Sequence, residues 1–240
     1  MKTVAIIQAR MDSTRLPGKV MLSLNCTPII QHVTRRVSSC ELVDEVVVAT
    51  TDKRRDDIVD DYAQREGADV FRGDESDVLR RVFRAAESHG AKLVVRITAD
   101  NPLTPPSAID TTIEKVQNSG HDYISNKINR SFPAGFDTEV CTFESLEMVD
   151  ANADTQRDRE HVTTYYRRSE AFDTANISSA EVYSEPRLQN RTELRLTLDT
   201  PADFELFTRL YENVPYDGIL DIGDAIRYID KQDLATLNVK

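Results

Sequence analysis

Cysteine is scarce: Cys26, Cys40 and Cys141 are the only three in 240 residues, widely spaced and without a CxxC pair. A disulfide framework and a zinc site are thereby disfavoured, and each cysteine is expected to be a small buried apolar residue. The four histidines, His32, His89, His121 and His161, form no HExxH or HxH pattern. No apolar run approaches the roughly 18 residues of a membrane helix. The N-terminal apolar stretch is short, runs at once into two arginines and lacks a cleavage-site pattern, so a cytoplasmic protein is expected. Cations are in deficit, with 30 Lys and Arg against 41 Asp and Glu, a net charge of −11 and a pI near 4.9. General binding to nucleic acid or an acidic membrane needs the opposite balance, and both are disfavoured. Only 8 of the cations are lysine, and Asp outnumbers Glu by 25 to 16. Such a surface stays hydrated in high salt, which fits a halophilic source as well as an ordinary acidic cytosolic protein.

What is present is an ordinary globular balance, 40% hydrophobic and 30% charged. Thr3–Ala9 reads as a buried strand, and Pro28 opens an amphipathic helix with Ile29, Ile30, Val33 and Val37 on one stripe. A second strand spans 44–50, a helix 54–66, a third strand ADVFRG, a helix capped by Ser76 and running to His89, and a fourth strand KLVVRITAD. Strands alternating with amphipathic helices mean βαβ units and a largely parallel sheet, whose strand C-termini share one ligand-binding edge. The loops after strands one, three and four should line that edge. Beyond Pro106 the spacing predicts a helix over 107–118, strands at HDYISN and TEVCTF, helices over 143–151 and 157–168, and a late strand TELRLTLDT. Thr200 then caps a helix, and a last one covers 221–232. No repeat or linker divides the chain, so one domain over 1–240 is expected, with an inserted acceptor or oligomerisation subregion near 120–180.

The loop from Arg10 to Lys19 carries Arg10, Arg15 and Lys19 against one acid, Asp12, a local charge of +2 in a strongly acidic chain. Pro17 and Gly18 permit a tight turn, and Ser13 and Thr14 add hydroxyls and backbone donors. Together these can hold a polyphosphate. The alternative is a solvated loop whose arginines pair with surface acids. The loop is neither a Walker A sequence nor a G-x-G-x-x-G fingerprint.

The run Gln8-Ala9-Arg10-Met11-Asp12-Ser13-Thr14-Arg15-Leu16-Pro17-Gly18-Lys19 resembles the signature of the cytidylyltransferase family, which includes synthetases that load CMP onto acylneuraminate and Kdo sugars. Among its branches the chain looks most like the SpsF-like, spore coat polysaccharide biosynthesis branch. The likeness continues through DEVVVATT, DVFRGDESDVLRR, VVRITADNPL, FPAGFDTEV, REHVT and LRLTLDTPADFE. It implies an α/β, mostly parallel-sheet nucleotidyltransferase fold, Rossmann-like and GT-A-like. It further implies a nucleotide site of Gln8, Ala9, Arg10, Ser13, Thr14, Arg15, Gly18 and Lys19 around the CTP triphosphate, with Arg72, Gly73 and Asp77 approaching base and ribose. Arg10, Lys19 and Asp100 are the expected catalytic groups, and relatives of this kind suggest a homodimer.

Asp100 and Asp199 each follow an apolar strand-like run, so both carboxylates should reach the phosphate edge. A bare carboxylate there would repel phosphate, and Mg²⁺ between them removes the conflict. The resemblance likewise equates both with metal-binding aspartates. The competing readings are a turn start for Asp100 and a helix-start acid for Asp199. Asp137, Glu139, Arg159 and His161 are candidate contacts to the acceptor sugar, or else a polar strand face and a solvated helix. The expected reaction is transfer of CMP from CTP to a sugar acid or related sugar with release of pyrophosphate. A glycosyltransferase is disfavoured by the single acid in Thr98-Ala99-Asp100-Asn101 where a D-x-D pair is usual. A nucleotide-binding protein without turnover is disfavoured by the presence of both aspartates.

Overall fold

Thr3–Gln8 forms β1, with five of its six residues buried. In a computed structural model, which describes residues 1–238, β1 lies inside a seven-stranded sheet. A short hairpin follows, β2 (Ser23–Leu24) and β3 (Thr27–Pro28), and then α1 (Ile29–Ser38), β4 (Glu45–Thr51), α2 (Asp57–Arg65), β5 (Asp69–Gly73), α3 (Val78–Ser88) and β6 (Leu93–Thr98). The second half supplies α4 (Pro106–Ser119), β7 (Tyr123–Ser125), β8 (Glu139–Thr142), α5 (Phe143–Asn152), α6 (Gln156–His161), α7 (Thr164–Arg168), β9 (Thr174–Asn176), α8 (Ser179–Val182), α9 (Pro201–Asn213) and α10 (Ile222–Lys231). The sheet order is β5-β4-β1-β6-β8-β7-β9. Strands β5, β4, β1 and β6 are parallel, β8 is antiparallel to both β6 and β7, and β9 runs parallel to β7. The stretch 120–180, expected as an insertion, thus supplies three of the seven strands.

Successive side chains of a strand point to opposite faces. Ala5 and Ile7 accordingly join the core under α1, α2, α4, α9 and α10, whereas Val4 and Ile6 join the core under α3 and α5. Both faces are covered, which is why β1, β4 and β6 are continuous apolar runs rather than alternating ones.

Four local expectations are corrected. Asp77, not Ser76, caps α3, accepting from the Arg80 N–H, while Ser76 donates its backbone and hydroxyl to Asp74. The helix expected over 157–168 is two helices, broken at Val162 (φ 58°, ψ −58°), where the Thr163 N–H donates back to the His161 carbonyl at 2.6 Å. This is the strained γ-turn geometry, held because Val162 is buried and Thr163 is bonded to Glu139. Cys26 is exposed, because it shares the tip of the β2–β3 hairpin with Asn25, both at positive φ; Cys40 and Cys141 are buried as expected.

The fourth concerns TELRLTLDT. Its leucines 194, 196 and 198 are buried on the period of two that suggested a strand, yet it belongs to no sheet. It makes one bridge, Ala134 to Arg195, with the Leu196 N–H on the Ala134 carbonyl at 2.6 Å, and the Leu198 N–H donates to the Asp100 carbonyl at 2.8 Å. Gly135 makes the close approach possible: at φ 103° a Cβ would stand 2.0 Å from the Leu196 carbonyl oxygen. Gly135→Ala should therefore cost on the order of 3 kcal/mol or more, because the obstructing atom is backbone. Urea unfolding is the check, and a loss below about 1 kcal/mol would show that the two segments part easily.

Candidate active site

The chain runs from β1 outward through β4 to β5 and returns to β6 on the other side of β1. The ends of β1 and β6 therefore meet where the strand order reverses, the usual ligand position of an open α/β sheet. A cleft of about 350 Å³ lies there. Gln8 and Ala9 come to it from β1, Thr98, Ala99 and Asp100 from β6, and Arg10, Ser13, Thr14, Arg15 and Lys19 from the loop. Glu160 and His161 enter from the end of α6, and Asp199 from the segment before α9.

The loop folds on itself before it meets any ligand. The Gly18 N–H donates to the Met11 carbonyl at 3.0 Å, with Gly18 in the left-handed region at φ 66°. The Met11 N–H donates to the buried Asp56 carboxylate at 2.6 Å, which ties the loop to the start of α2. Arg10 donates to the Asp12 carbonyl at 3.1 Å. Lys19 stands on a single 3-10 turn immediately after Gly18, so the turn sets its direction.

That direction is toward the two aspartates. The Lys19 ammonium donates to Asp100 at 2.7 Å and to Asp199 at 2.8 Å, so carboxylates distant in sequence close on one cation. Each is steadied from behind through its other oxygen. Thr98 donates to Asp100 at 2.6 Å, and Arg195 donates to Asp199 at 2.9 Å. Arg15 adds a third cation to Asp199 at 2.9 Å. Burial pushes the Asp199 carboxyl up, but Lys19, Arg195 and Arg15 outweigh it and hold it below the usual range. Asp203 does not line this cleft: it accepts from the backbone of Asp199 and Thr200 and closes a capping box with Thr200 at the start of α9.

Other candidates are placed elsewhere. Arg72 turns away, donating to the Thr51 and Lys53 carbonyls and to Asp57. Arg159 spans Asp77 and Asp150, so two residues expected at opposite poles of the substrate form one salt bridge that joins α6 to α3 and α5. Asp137 pairs with Arg130 and Lys127. Gly73 ends β5, where the side chain of Arg81 lies across it. Glu139 is 3% exposed and accepts from Arg96, Tyr123 and Thr163, with Lys127 at 3.7 Å. Burial raises its pKa, but Arg96, Lys127 and the two hydroxyls bring the carboxyl to about 2. The same Arg96 donates twice to the Gln8 carboxamide oxygen, at 3.0 and 2.9 Å, and so fixes Gln8 at the cleft wall.

Arg81, Arg96 and Arg195 were not singled out from the sequence, and Glu160 was read only with Arg159 and His161 as part of a helix that could be solvated. Arg81 sits on the buried stripe of α3, where an arginine among Val78, Leu79, Val82 and Phe83 was the available signal. The others were unremarkable charges in a chain that is 30% charged.

The family model described as cytidylyltransferase matches residues 4–226. The uncharacterized protein MJ1063 of Methanocaldococcus jannaschii is 36% identical over 231 residues, 96% of this chain and 91% of its own. The spore coat polysaccharide biosynthesis protein SpsF of Bacillus subtilis is 34% identical over 212 residues, 86% of this chain and 85% of its own. A cytidylyltransferase structure from Leptospira borgpetersenii superposes with a TM-score of 0.90 at 30% identity, covering 100% of this chain and 98% of that one. With a match over nearly the whole length, this α/β chain belongs to the cytidylyltransferase family and is a nucleotidyltransferase.

Proposed function

We propose that the protein transfers CMP from CTP to a sugar acid or a related sugar acceptor, releasing pyrophosphate, for the synthesis of a surface polysaccharide or glycan. The observation that carries this reading is the convergence of Arg10, Arg15 and Lys19 with Asp100 and Asp199 where the sheet order reverses. In-line attack of a hydroxyl on the α-phosphate builds negative charge on phosphate oxygens and on the departing pyrophosphate, and catalysis depends on positioning and on neutralising that charge. Arg10, Arg15 and Lys19 supply positive charge from one preformed loop. Asp100 and Asp199 are the residues that would hold a divalent cation, most simply Mg²⁺. They fit one, since two hard oxygen donors already close on a single cationic atom, and each keeps its second oxygen hydrogen-bonded elsewhere. When bound, the ion would polarise the phosphate. Gln8, with its oxygen held by Arg96, lines the cleft. Glu160 and His161 are titratable cleft residues without a side-chain hydrogen bond among the described residues, and serve to receive the acceptor hydroxyl's proton.

The test is a pyrophosphate-release screen of the four nucleoside triphosphates against sugar acids and sugar phosphates with Mg²⁺. Selective release from CTP with a sugar acid supports the reading. Release of a nucleoside diphosphate from a sugar nucleotide would replace it with glycosyl transfer, and CTP binding without turnover under every condition would make the protein a nucleotide sensor. Within this reading, Arg15→Ala or Lys19→Ala is expected to weaken CTP binding by roughly 1.5–3 kcal/mol, the worth of a charge-assisted contact. Calorimetry on the folded variants is the measurement, and unchanged affinity would remove the loop from the phosphate site.

A further inference from the structure

In a chain with eleven more acidic than basic groups, most guanidinium groups of this structure find a carboxylate. Arg81 does not. It is 3% exposed, and among the described residues its Nη1 donates only to the main-chain carbonyls of Asp74 and Glu75 and its buried Nε–H has no partner. Arg10 shares the Glu75 carbonyl, at 3.4 Å, and likewise pairs with no carboxylate among the described residues. Both line the cleft. The cleft cations thus fall into two sets. Lys19 and Arg15 are engaged on Asp100 and Asp199, whereas Arg10 and Arg81 are held by backbone oxygens and form no ion pair among the described residues.

A buried cation without a partner is unfavourable by several kcal/mol unless something compensates it. Burial lowers the Arg81 pKa, and the nearby Arg10 adds to this, against Asp56, Asp74 and Glu75. Arg36 shows the contrast. It is equally buried, but it donates through Nε to the Thr104 carbonyl and through Nη1 to the Leu220 carbonyl, and it does not line this cleft. Arg36 is spent on joining loops. Arg81 by contrast lines the substrate cleft, its side chain held by the packing of α3 against Gly73, and its buried Nε–H has no partner among the described residues.

We propose that Arg81 is a substrate-binding residue which, beside Arg10, takes an oxyanion through its free N–H groups. A guanidinium suits such an anion because its planar donor fork matches two oxygens at once. The chemistry is shared by a phosphate of the nucleotide and the carboxylate of a sugar acid. The proposal rests on the nucleotidyl-transfer reading above and adds a residue to it.

The experiment compares wild type with Arg81→Met and Arg81→Lys. Calorimetric titration uses CTP and inorganic pyrophosphate, and steady-state kinetics use N-acetylneuraminate and 3-deoxy-manno-octulosonate as carboxylate probes. A phosphate ligand predicts that Arg81→Met loses roughly 10-fold or more in affinity for both CTP and pyrophosphate, with Arg81→Lys in between. A carboxylate ligand predicts unchanged CTP and pyrophosphate binding with a KM for the sugar acid raised by a similar factor and kcat less affected. A second readout uses the unaltered protein: the Nε–H resonance of Arg81, assigned through Arg81→Lys, should shift when pyrophosphate or a sugar acid is added. Folded Arg81→Met with every affinity and KM within twofold of wild type would overturn the proposal. So would an Nε–H resonance that responds to none of the probes, even if Arg81→Met does not fold. Wild type that neither binds CTP nor releases pyrophosphate would instead overturn the nucleotidyl-transfer reading itself.

Discussion

Asp100→Asn and Asp199→Asn are each expected to slow CTP-dependent pyrophosphate release by roughly 100-fold or more, about 2.7 kcal/mol of lost transition-state stabilisation. The double variant should be scarcely slower than either single one. Residues that act through one group are not additive, and these two carboxylates already close on one cation. The exchange to Asn keeps size and much of the hydrogen bonding, including the Thr98 hydroxyl on Asp100. Asp100 is partly exposed, so Asp100→Asn should move the melting temperature of the ligand-free protein by only a few degrees. Two shared cations could couple the pair, the proposed divalent ion and Lys19, and a Mg²⁺ titration separates them. Weaker apparent Mg²⁺ affinity in both single variants assigns the coupling to the metal. Non-additivity that is reproduced by Lys19→Ala and leaves the Mg²⁺ dependence unmoved assigns it to the lysine. Independent, multiplicative effects would sink the shared-cation arrangement altogether.

Glu139→Gln should be the most destabilising change to a charged group, at about 3 kcal/mol, because it leaves the buried Arg96 without its counter-charge. At about 2–4 °C per kcal/mol for a chain of this size, the melting temperature should fall by roughly 6–12 °C. The direction with pH follows from the depressed carboxyl. The ordinary value is 4.5 and the folded value about 2, so the folded state favours the ionised form. Stability from this group is complete above pH 4.5 and disappears as pH falls toward 2. Wild type and Glu139→Gln should therefore differ most near neutrality and converge in acid. Urea unfolding at pH 7, 4 and 3 measures this. A difference that is negligible at pH 7, or that grows in acid, would contradict the role given to the pair. The variant should also perturb the cleft indirectly, since Arg96 no longer holds Gln8 as firmly and Thr163 loses part of its hold on the turn that carries His161.

The amino-acid sequence by itself determined the layered α/β class, the four parallel strands β1, β4, β5 and β6, though not the β2–β3 hairpin, and the placing of the first loop at the sheet edge. These rest on local causes: continuous apolar runs for strands buried on both faces, a helical stripe such as Ile29, Ile30, Val33 and Val37, and glycines where helices stop. It also set the family, through one long motif at Gln8–Lys19 followed by shorter ones in consistent order. Period-two burial of Leu194, Leu196 and Leu198 was legible too, but not that the segment pairs with the loop at Ala134 instead of entering the sheet. That depends on a backbone approach which Gly135 permits and no periodicity encodes. Partner choice among charges was equally closed to inspection. With 71 charged side chains, sequence offers many oppositely charged pairs of similar appeal. Only the folded chain decides that Arg159 takes Asp77, that Glu139 disappears into a buried network, that Lys19 bridges Asp100 and Asp199, and that Arg81 has no carboxylate partner among the described residues. Ion pairing is a short-range interaction, so it follows the distances that tertiary packing sets and not the separation of residues along the chain.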